Sequence, residues 1–252
     1  MREKATAFAV IGDRFHNSDY IRTGLSKTLV KDLGMSIDFT DDVTLLNADT
    51  LDGYRMLIVF RDGMIWPQGY GESAFWARGA SVDLVSDPTV PEQKAMREPW
   101  MTGEHGEAVK AFVSGGGASL LYHNVTYIAT FDEAFREVLG AETQGHPPVR
   151  TFKVEIANSD HPITQGVNDF VVTDEQHFLI YNQNPEYVLM RSVNEDGLTF
   201  KDLGSTCEAG WAYDYGEGRV CYLSPGHLIP VLWNPEYEKI QQNAVRWLLR
   251  EI

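Results

Sequence analysis

Cysteine is nearly missing from this chain: among 252 residues only Cys207 and Cys221 occur. Two thiols cannot build a disulfide scaffold, and their spacing fits no zinc motif. Cys221 sits inside an apolar run and reads as a buried thiol. Basic residues are also few, with 21 Lys and Arg against 36 Asp and Glu and a formal charge of −15. With no basic stripe to neutralise phosphates, a nucleic-acid partner is not expected. The same excess of acid argues against adsorption to an anionic membrane. No hydrophobic run reaches membrane-spanning length. The apolar stretch near the amino end is short and lacks a small-residue cleavage site, so a cytoplasmic protein is expected. No GxGxxG follows the first apolar run and no P-loop occurs, so no nucleotide cofactor is expected. No serine or cysteine lies in a GxSxG elbow. Gly115-Gly116-Gly117 precedes a strand rather than a helix and reads as a helix stop.

What the chain does have is a hydrophobic fraction of 43%, ordinary for a folded globular protein, and four short apolar runs with polar ends. The runs are Ala7–Gly12, Met56–Phe60, Ala118–Tyr122 and Val220–Leu223. They continue into Asp13-Arg14-Phe15-His16, Arg61-Asp62, His123-Asn124 and Ser224-Pro225-Gly226-His227. Continuous apolar runs of this length, with helical patterns between the first three, read as buried strands of a parallel sheet. Ligands of open α/β sheets bind beyond the carboxyl ends of the strands. These polar continuations are therefore expected to line one crevice.

Helical patterns fill the intervals. Asn17-Ser18 caps a helix carrying Ile21, Leu25, Leu29 and Leu33, stopped by Gly34. Ser36–Phe39 reads as a second strand, Thr102–Ser114 as a capped helix, and Phe131–Leu139 as a short helix closed by Gly140. Thr151–Ile156 and Tyr187–Val193 read as strands of more antiparallel character. Gly216-Glu217-Gly218 turns a hairpin between Ala212–Tyr215 and Arg219–Leu223. Asn234-Pro235 starts a final helix with Ile240, Ala244, Trp247 and Leu248 on its buried stripe. The whole chain, 1–252, reads as a single domain interrupted by a long aperiodic insertion at 62–101. An insertion of that length is often functional; directly after a strand end, it can cover the crevice as a lid or be a surface excursion packing its own aromatics.

With no activated serine or cysteine, imidazole and carboxylate are the reactive inventory. His123, at a strand end, can be a base, a proton donor or a metal ligand. Asp174-Glu175-Gln176-His177 is a second polar constellation. If extended, it puts Glu175 and His177 on one face, suited to acid–base work or to a hard or borderline cation. His161 reads as a structural turn residue and His105 as a solvated one, while the role of His146 is left open.

The segments GGGASLLYHN, HPITQGVNDFVVTDEQHF, YGEGRVCYLSPGH and WNPEYEKIQQNAVRWLL, in that order, resemble the trehalose-utilisation (ThuA-like) family. DEQHF departs from the family's more usual DE followed by a hydrophobic residue or tyrosine. The resemblance implies a class I glutamine amidotransferase-like, flavodoxin-like fold. That is a three-layer α/β sandwich with a mostly parallel sheet and an antiparallel extension. His123 then stands near the place of the amidotransferase cysteine, which argues against glutaminase chemistry.

The family further implies carbohydrate catabolism, often beside oxidoreductases that make 3-keto sugars. The expected reaction is an isomerase or lyase step on a keto sugar or 3-keto glycoside, whose C–H beside the carbonyl is acidified. His123, His227, Glu175 and His177 are the expected proton-transfer groups. Asp13, His16, Arg61, Asn124, Trp66, Tyr70 and Asp174 are the expected substrate contacts, with Trp76 as a further ring for stacking on sugar. One divalent metal, zinc or manganese, would use His123, His227 and Glu175. The expected partners are a small-molecule sugar and a second copy of the chain. Two alternatives remain: a non-catalytic sugar-binding or regulatory module on the same scaffold, and a residual hydrolase using Ser224 beside His227.

Overall fold

The computed structural model describes residues 4–67 and 96–252. Tyr70, Trp76 and most of the insertion read as a lid lie outside these residues. The first strand, β1 (Ala7–Ile11), is wholly buried. Gly12 follows at a φ of 81°, where a Cβ would stand 2.5 Å from the Ser18 Cβ. Only glycine accepts both demands, and the turn brings the next helix hard against the strand end. That helix, α1 (Ser18–Leu25), is capped by the Asn17 side chain. It loosens into a π-helical turn at Ser26–Lys31. Strand β2 (Ile37–Thr40), the short α2 (Ala48–Leu51) and β3 (Met56–Phe60) follow. The described ends of the insertion pair with each other, β4 (Met64–Ile65) with β5 (Glu98–Pro99).

Helix α3 (Gly103–Ser114), strand β6 (Ala118–Tyr122) and α4 (Glu133–Leu139) complete the doubly wound half. Next come β7 (Ala141–Gly145), β8 (Arg150–Ile156), β9 (Phe170–Asp174) and β10 (Phe178–Tyr181). The chain continues through β11 (Val188–Val193), β12 (Thr206–Tyr215), β13 (Gly218–Leu223), α5 (Ile229–Leu232) and α6 (Pro235–Leu248).

The main sheet runs β2-β1-β3-β6-β13-β12-β11-β8-β9. Strands β2, β1, β3, β6 and β13 are parallel to their neighbours. From β13 onward every pairing is antiparallel. Side chains alternate across the sheet and fill two cores. Ala7, Ala9, Ile11, Ile58 and Leu120 meet Ile21, Leu25 and Leu29 of the first helical run and Ile240, Ala244 and Leu248 of α6. Phe8, Val10, Leu57, Val59 and Leu121 meet Val109 and Val113 of α3 and Phe135 and Val138 of α4. Helices on both faces of one sheet give the expected three-layer, flavodoxin-like α/β sandwich. Cys207 and Cys221 are buried free thiols. His161 caps the turn at Pro162–Thr164 and packs on Trp247. His105 sits in the capping box of α3 against the Trp100 ring, rather than standing free in solvent.

Candidate active site

Each strand end delivers its polar residue by a distinct local device. At the end of β6 the chain turns sharply, and His123 takes a φ of 50°. A non-glycine residue in this region is strained and is held by its surroundings. Two contacts hold it: the His123 Nδ1 donates to Ser224 O at 2.8 Å, and Tyr222 donates its hydroxyl to His123 O at 2.8 Å. With Nδ1 so committed, His123 Nε2 points its lone pair inward. Nε2 is buried and makes no hydrogen bond among the described residues; it lies 3.4 Å from Glu175 Oε2.

His16 is fixed by Asp13. The carboxylate lies 2.9 Å from His16 Nδ1 and also accepts the backbone N–H of Phe15, His16 and Asp62. Asn124 Nδ2 donates to it at 2.7 Å. Burial alone would raise the Asp13 carboxyl, but the bond and charge of His16 and the amides of Asp62 and Phe15 outweigh it and hold it at about 2. An ionised partner at Nδ1 selects the tautomer that leaves Nε2 free. His227 rides on the loop after β13. Asp174 accepts the N–H groups of Gly226, His227 and Leu228 at 2.7, 3.3 and 3.2 Å, and Tyr20 donates to His227 O at 3.0 Å. Gly226 packs its backbone onto His123 and Phe60, where a Cβ would meet Phe60 Cζ at 2.8 Å.

Glu175 and His177 follow the end of β9 in extended chain. Between them Gln176 points the opposite way and is tied to Ser205 O at 3.1 Å, so its two neighbours share a face. The outcome is a cluster. His16 Nε2 lies 2.9 Å from His227 Nδ1, and His227 Nδ1 lies 3.3 Å from Glu175 Oε2. Ligand atoms from His16, His123, Glu175 and His227 all fall within 4.8 Å of one another. Burial pushes the Glu175 carboxyl up, but the imidazoles of His123, His177 and His227 gathered around it overcome that and hold it far below the usual carboxylate range. Burial drives the His177 imidazole well below its ordinary value. For His227 burial acts downward too, but Glu175 prevails and raises it.

These atoms fit a divalent cation. Ligands about 2.0–2.2 Å from an ion stand roughly 3–3.5 Å from one another, and the His16–His227, His227–Glu175 and His123–Glu175 separations are 2.9, 3.3 and 3.4 Å. The tautomers of His16 and His123 are set to leave lone pairs facing inward, and the Asp13 carboxylate behind His16 is a partner such ligands favour. His16, read in the sequence as a substrate contact, stands with His123, His227 and Glu175 in the group that could hold such an ion.

A cavity of about 750 Å³ abuts the cluster, lined by Asn124, His146, Glu175 and His177 on one side. Phe15, Met64, Trp66, Pro99, Tyr127 and Phe131 supply its apolar walls, and Arg14, Asp62 and Arg97 add charge. His123, His227 and His16 do not line it. Asp13 and Asp174 spend their oxygens on backbone and side-chain donors and face the protein rather than the cavity. Arg61 is buried, bonds to Asp41 O at 3.1 Å and stacks over Trp100. It lines a separate pocket of about 380 Å³ with Asp13, Asp41 and Trp66.

Two cavity groups were given no chemical role from the sequence, although Asp62 was among the strand-end continuations expected to line the crevice. Asp62 is raised to about 7 by burial and by the charge of Asp13; nothing in its local sequence announces that. His146, whose role was open, stacks on His177 at 4.9 Å.

Comparison with known proteins comes to the same fold. The profile of the ThuA family, described as trehalose utilisation, matches residues 90–248. A ThuA-like protein of Bacteroides uniformis superimposes with a TM-score of 0.66 at 18% identity, covering 96% of this chain and 90% of that one. A ThuA-like protein of Parabacteroides merdae gives a TM-score of 0.68 at 13% identity, covering 98% and 90%. The β-galactosidase of Rahnella sp. R3 matches 98% of this chain with 32% of its own, at 12% identity and a TM-score of 0.58. No curated protein matches by sequence. No helix among the described residues is long and apolar enough to cross a membrane.

Proposed function

We propose, from the premise that this chain belongs to the ThuA (trehalose utilisation) family, that it is a carbohydrate-processing enzyme performing acid–base chemistry on a keto sugar or 3-keto glycoside. One observation carries the reading. Glu175 is at once the hub of four imidazoles and part of the wall of a cavity with aromatic sides. Aromatic faces suit the C–H faces of a sugar, and an ionised carboxylate beside them suits removal of the acidified C–H next to a carbonyl.

The roles divide by position. Glu175 takes the proton, with the neutral His177 beside it. Asp62, with its proton retained near neutrality, and the Asn124 amide offer hydrogen bonds to the oxyanion that develops. His123 and His227 hold Glu175 from behind, with His16 against His227, and charge and geometry keep it ionised. A divalent cation, zinc or manganese, would be held by His16, His123, His227 and Glu175 and would supply Lewis-acid charge stabilisation. A sugar-binding module would need only rings and neutral polar groups, so the convergence of imidazoles around a carboxylate favours the catalytic reading.

The test is solvent exchange. The protein is incubated with a 3-keto glycoside in D2O and followed by NMR. Deuterium entering the carbon beside the carbonyl, or an eliminated or isomerised product, is expected. Binding without exchange or product would reject catalysis in favour of the binding module.

A further inference from the structure

We propose that the sugar this cavity takes carries an acidic group, a carboxylate or a phosphate, and that Arg14 and Arg97 on the cavity wall receive it. The inference deepens the reading above and rests on it for the place of the reacting carbon, beside Glu175.

The wall is assembled from three pieces of chain. The turn after β1 supplies Arg14 and Phe15, β4 supplies Met64 with Trp66 just beyond it, and the segment at β5 supplies Arg97 and Pro99. Pairing of Met64 with Pro99 ties the last two together. Arg14 joins the first to them by lying over Trp66, 5.2 Å from its ring centre. Glu175, His146 and His177 reach the cavity from other elements, after β9 and β7. A ligand in contact with Glu175 therefore has the two arginines to meet on a separate wall.

The charge of that wall runs against the charge of the chain. The protein carries a net −15. Apart from Glu175 and its imidazoles, the charged side chains lining the cavity are Arg14, Arg97 and Asp62. Asp62 is raised to about 7 by burial and by Asp13, even though Arg97 and Arg61 act to lower it. At neutral pH it therefore offsets only about half of one positive charge. Glu175 keeps its charge, but four imidazoles surround it. The arginines thus leave the wall positive, which suits an anion and steers one in from solution.

The seat of Arg14 is a second, independent sign. Its guanidinium lies over the Phe15 ring as well, at 5.7 Å, and those two rings stand edge-on to each other at 83°. Contact with a ring engages the face of a guanidinium, whereas its N–H bonds run in the plane, as forked binding of a carboxylate or phosphate requires. The surrounding rings keep water away and strengthen the attraction between opposite charges. A neutral sugar would leave two cations at an aromatic wall with no charge to meet.

Sugars that differ only in the acidic group test this. Methyl glucoside, methyl glucuronide and methyl glucoside 6-phosphate are titrated calorimetrically into the full chain, and their 3-keto forms are followed by deuterium exchange. At least one anionic sugar should bind about tenfold more tightly than the neutral one, the size of a single charge-assisted hydrogen bond, with a matching gain in kcat/KM. The two anionic arms show which acid is taken. In Arg14→Gln and in Arg97→Gln the ratio of anionic to neutral binding should fall towards one. The ratio is taken within one protein, so a general loss of activity does not mimic the effect, and if one variant does not fold the other decides. No preference for either anion in wild type, no binding of any of the three, or a wild-type ratio kept in a folded variant would overturn the proposal. Exchange without preference would do so while leaving the enzyme reading intact. Preference in binding with no exchange of any keto sugar would reject the enzyme reading and leave the role of the arginines in place.

Discussion

His16 Nε2 and His227 Nδ1 lie 2.9 Å apart although 211 residues separate them in the chain. The first is aimed by Asp13, the second by the Asp174 clamp on its loop. Neither carboxylate faces the cavity, so both act through the imidazoles they orient.

Removing one aiming group should therefore weaken cation binding without removing a ligand. Asp13→Asn keeps the shape but gives up the charge that fixes the His16 tautomer. Zinc affinity measured calorimetrically should fall about 10–100-fold, the usual cost of losing such a partner. Unchanged affinity would mean that His16 is not a ligand.

Turnover should depend on the hub and on what holds it. Glu175→Gln and His123→Ala should each lower the rate on a 3-keto glycoside by at least about a hundredfold, the low end for a general base. The rate should also fall with acid. A protonated imidazole has no lone pair for a cation and makes the neighbouring Glu175 a weaker base, and His227 keeps its proton to higher pH than an ordinary histidine. The decline is expected to begin at or above about pH 6.5. A wild-type rate in His123→Ala, or a pH-independent rate between about 5 and 8, would count against these roles.

Asp62 gives a prediction in stability alone. Its folded-state carboxyl is raised to about 7 from 3.8, so the folded protein binds its proton more tightly than the unfolded chain does. That advantage is complete below the unfolded value and is lost as pH rises towards the folded one. Asp62→Asn removes the penalty of ionisation. The melting temperature of the variant relative to wild type should therefore rise between pH 4 and pH 8. A difference that is flat with pH would refute the shift.

Gly226→Ala should disturb the site through packing. The added Cβ meets Phe60 Cζ at 2.8 Å and His123 Cβ at 3.0 Å. A loss of about 1–3 kcal/mol in urea unfolding is expected from overpacking, together with weaker zinc binding as the loop carrying His227 moves. Wild-type stability and zinc affinity together would show that the loop yields freely.

Much of this was legible in the residues themselves. Apolar runs at Ala7, Met56, Ala118 and Val220 read as buried strands, because length, composition and flanking residues are local signals. Their shared direction then sends His16, Arg61, His123 and His227 to one edge. Asn17, Gly140 and Asn234 ended or began helices by side-chain and backbone chemistry that needs no distant partner. Tertiary structure alone decided the rest. Arg61 leaves that edge for Asp41 and Trp100, and Asp13 and Asp174 face inward to donors that only folding brings near. His16 comes to lie 2.9 Å from His227 because the β1 turn and the loop after β13 meet there. The character of Asp62 and the place of His146 were decided in the same way. The proton affinity of Asp62 is set by the burial and the Asp13 charge that folding imposes, and the environment of His146 by a ring, that of His177, 31 residues away in sequence. Spacing along a chain fixes which residues share a strand or a helix face, but it carries no information about which strand ends will touch.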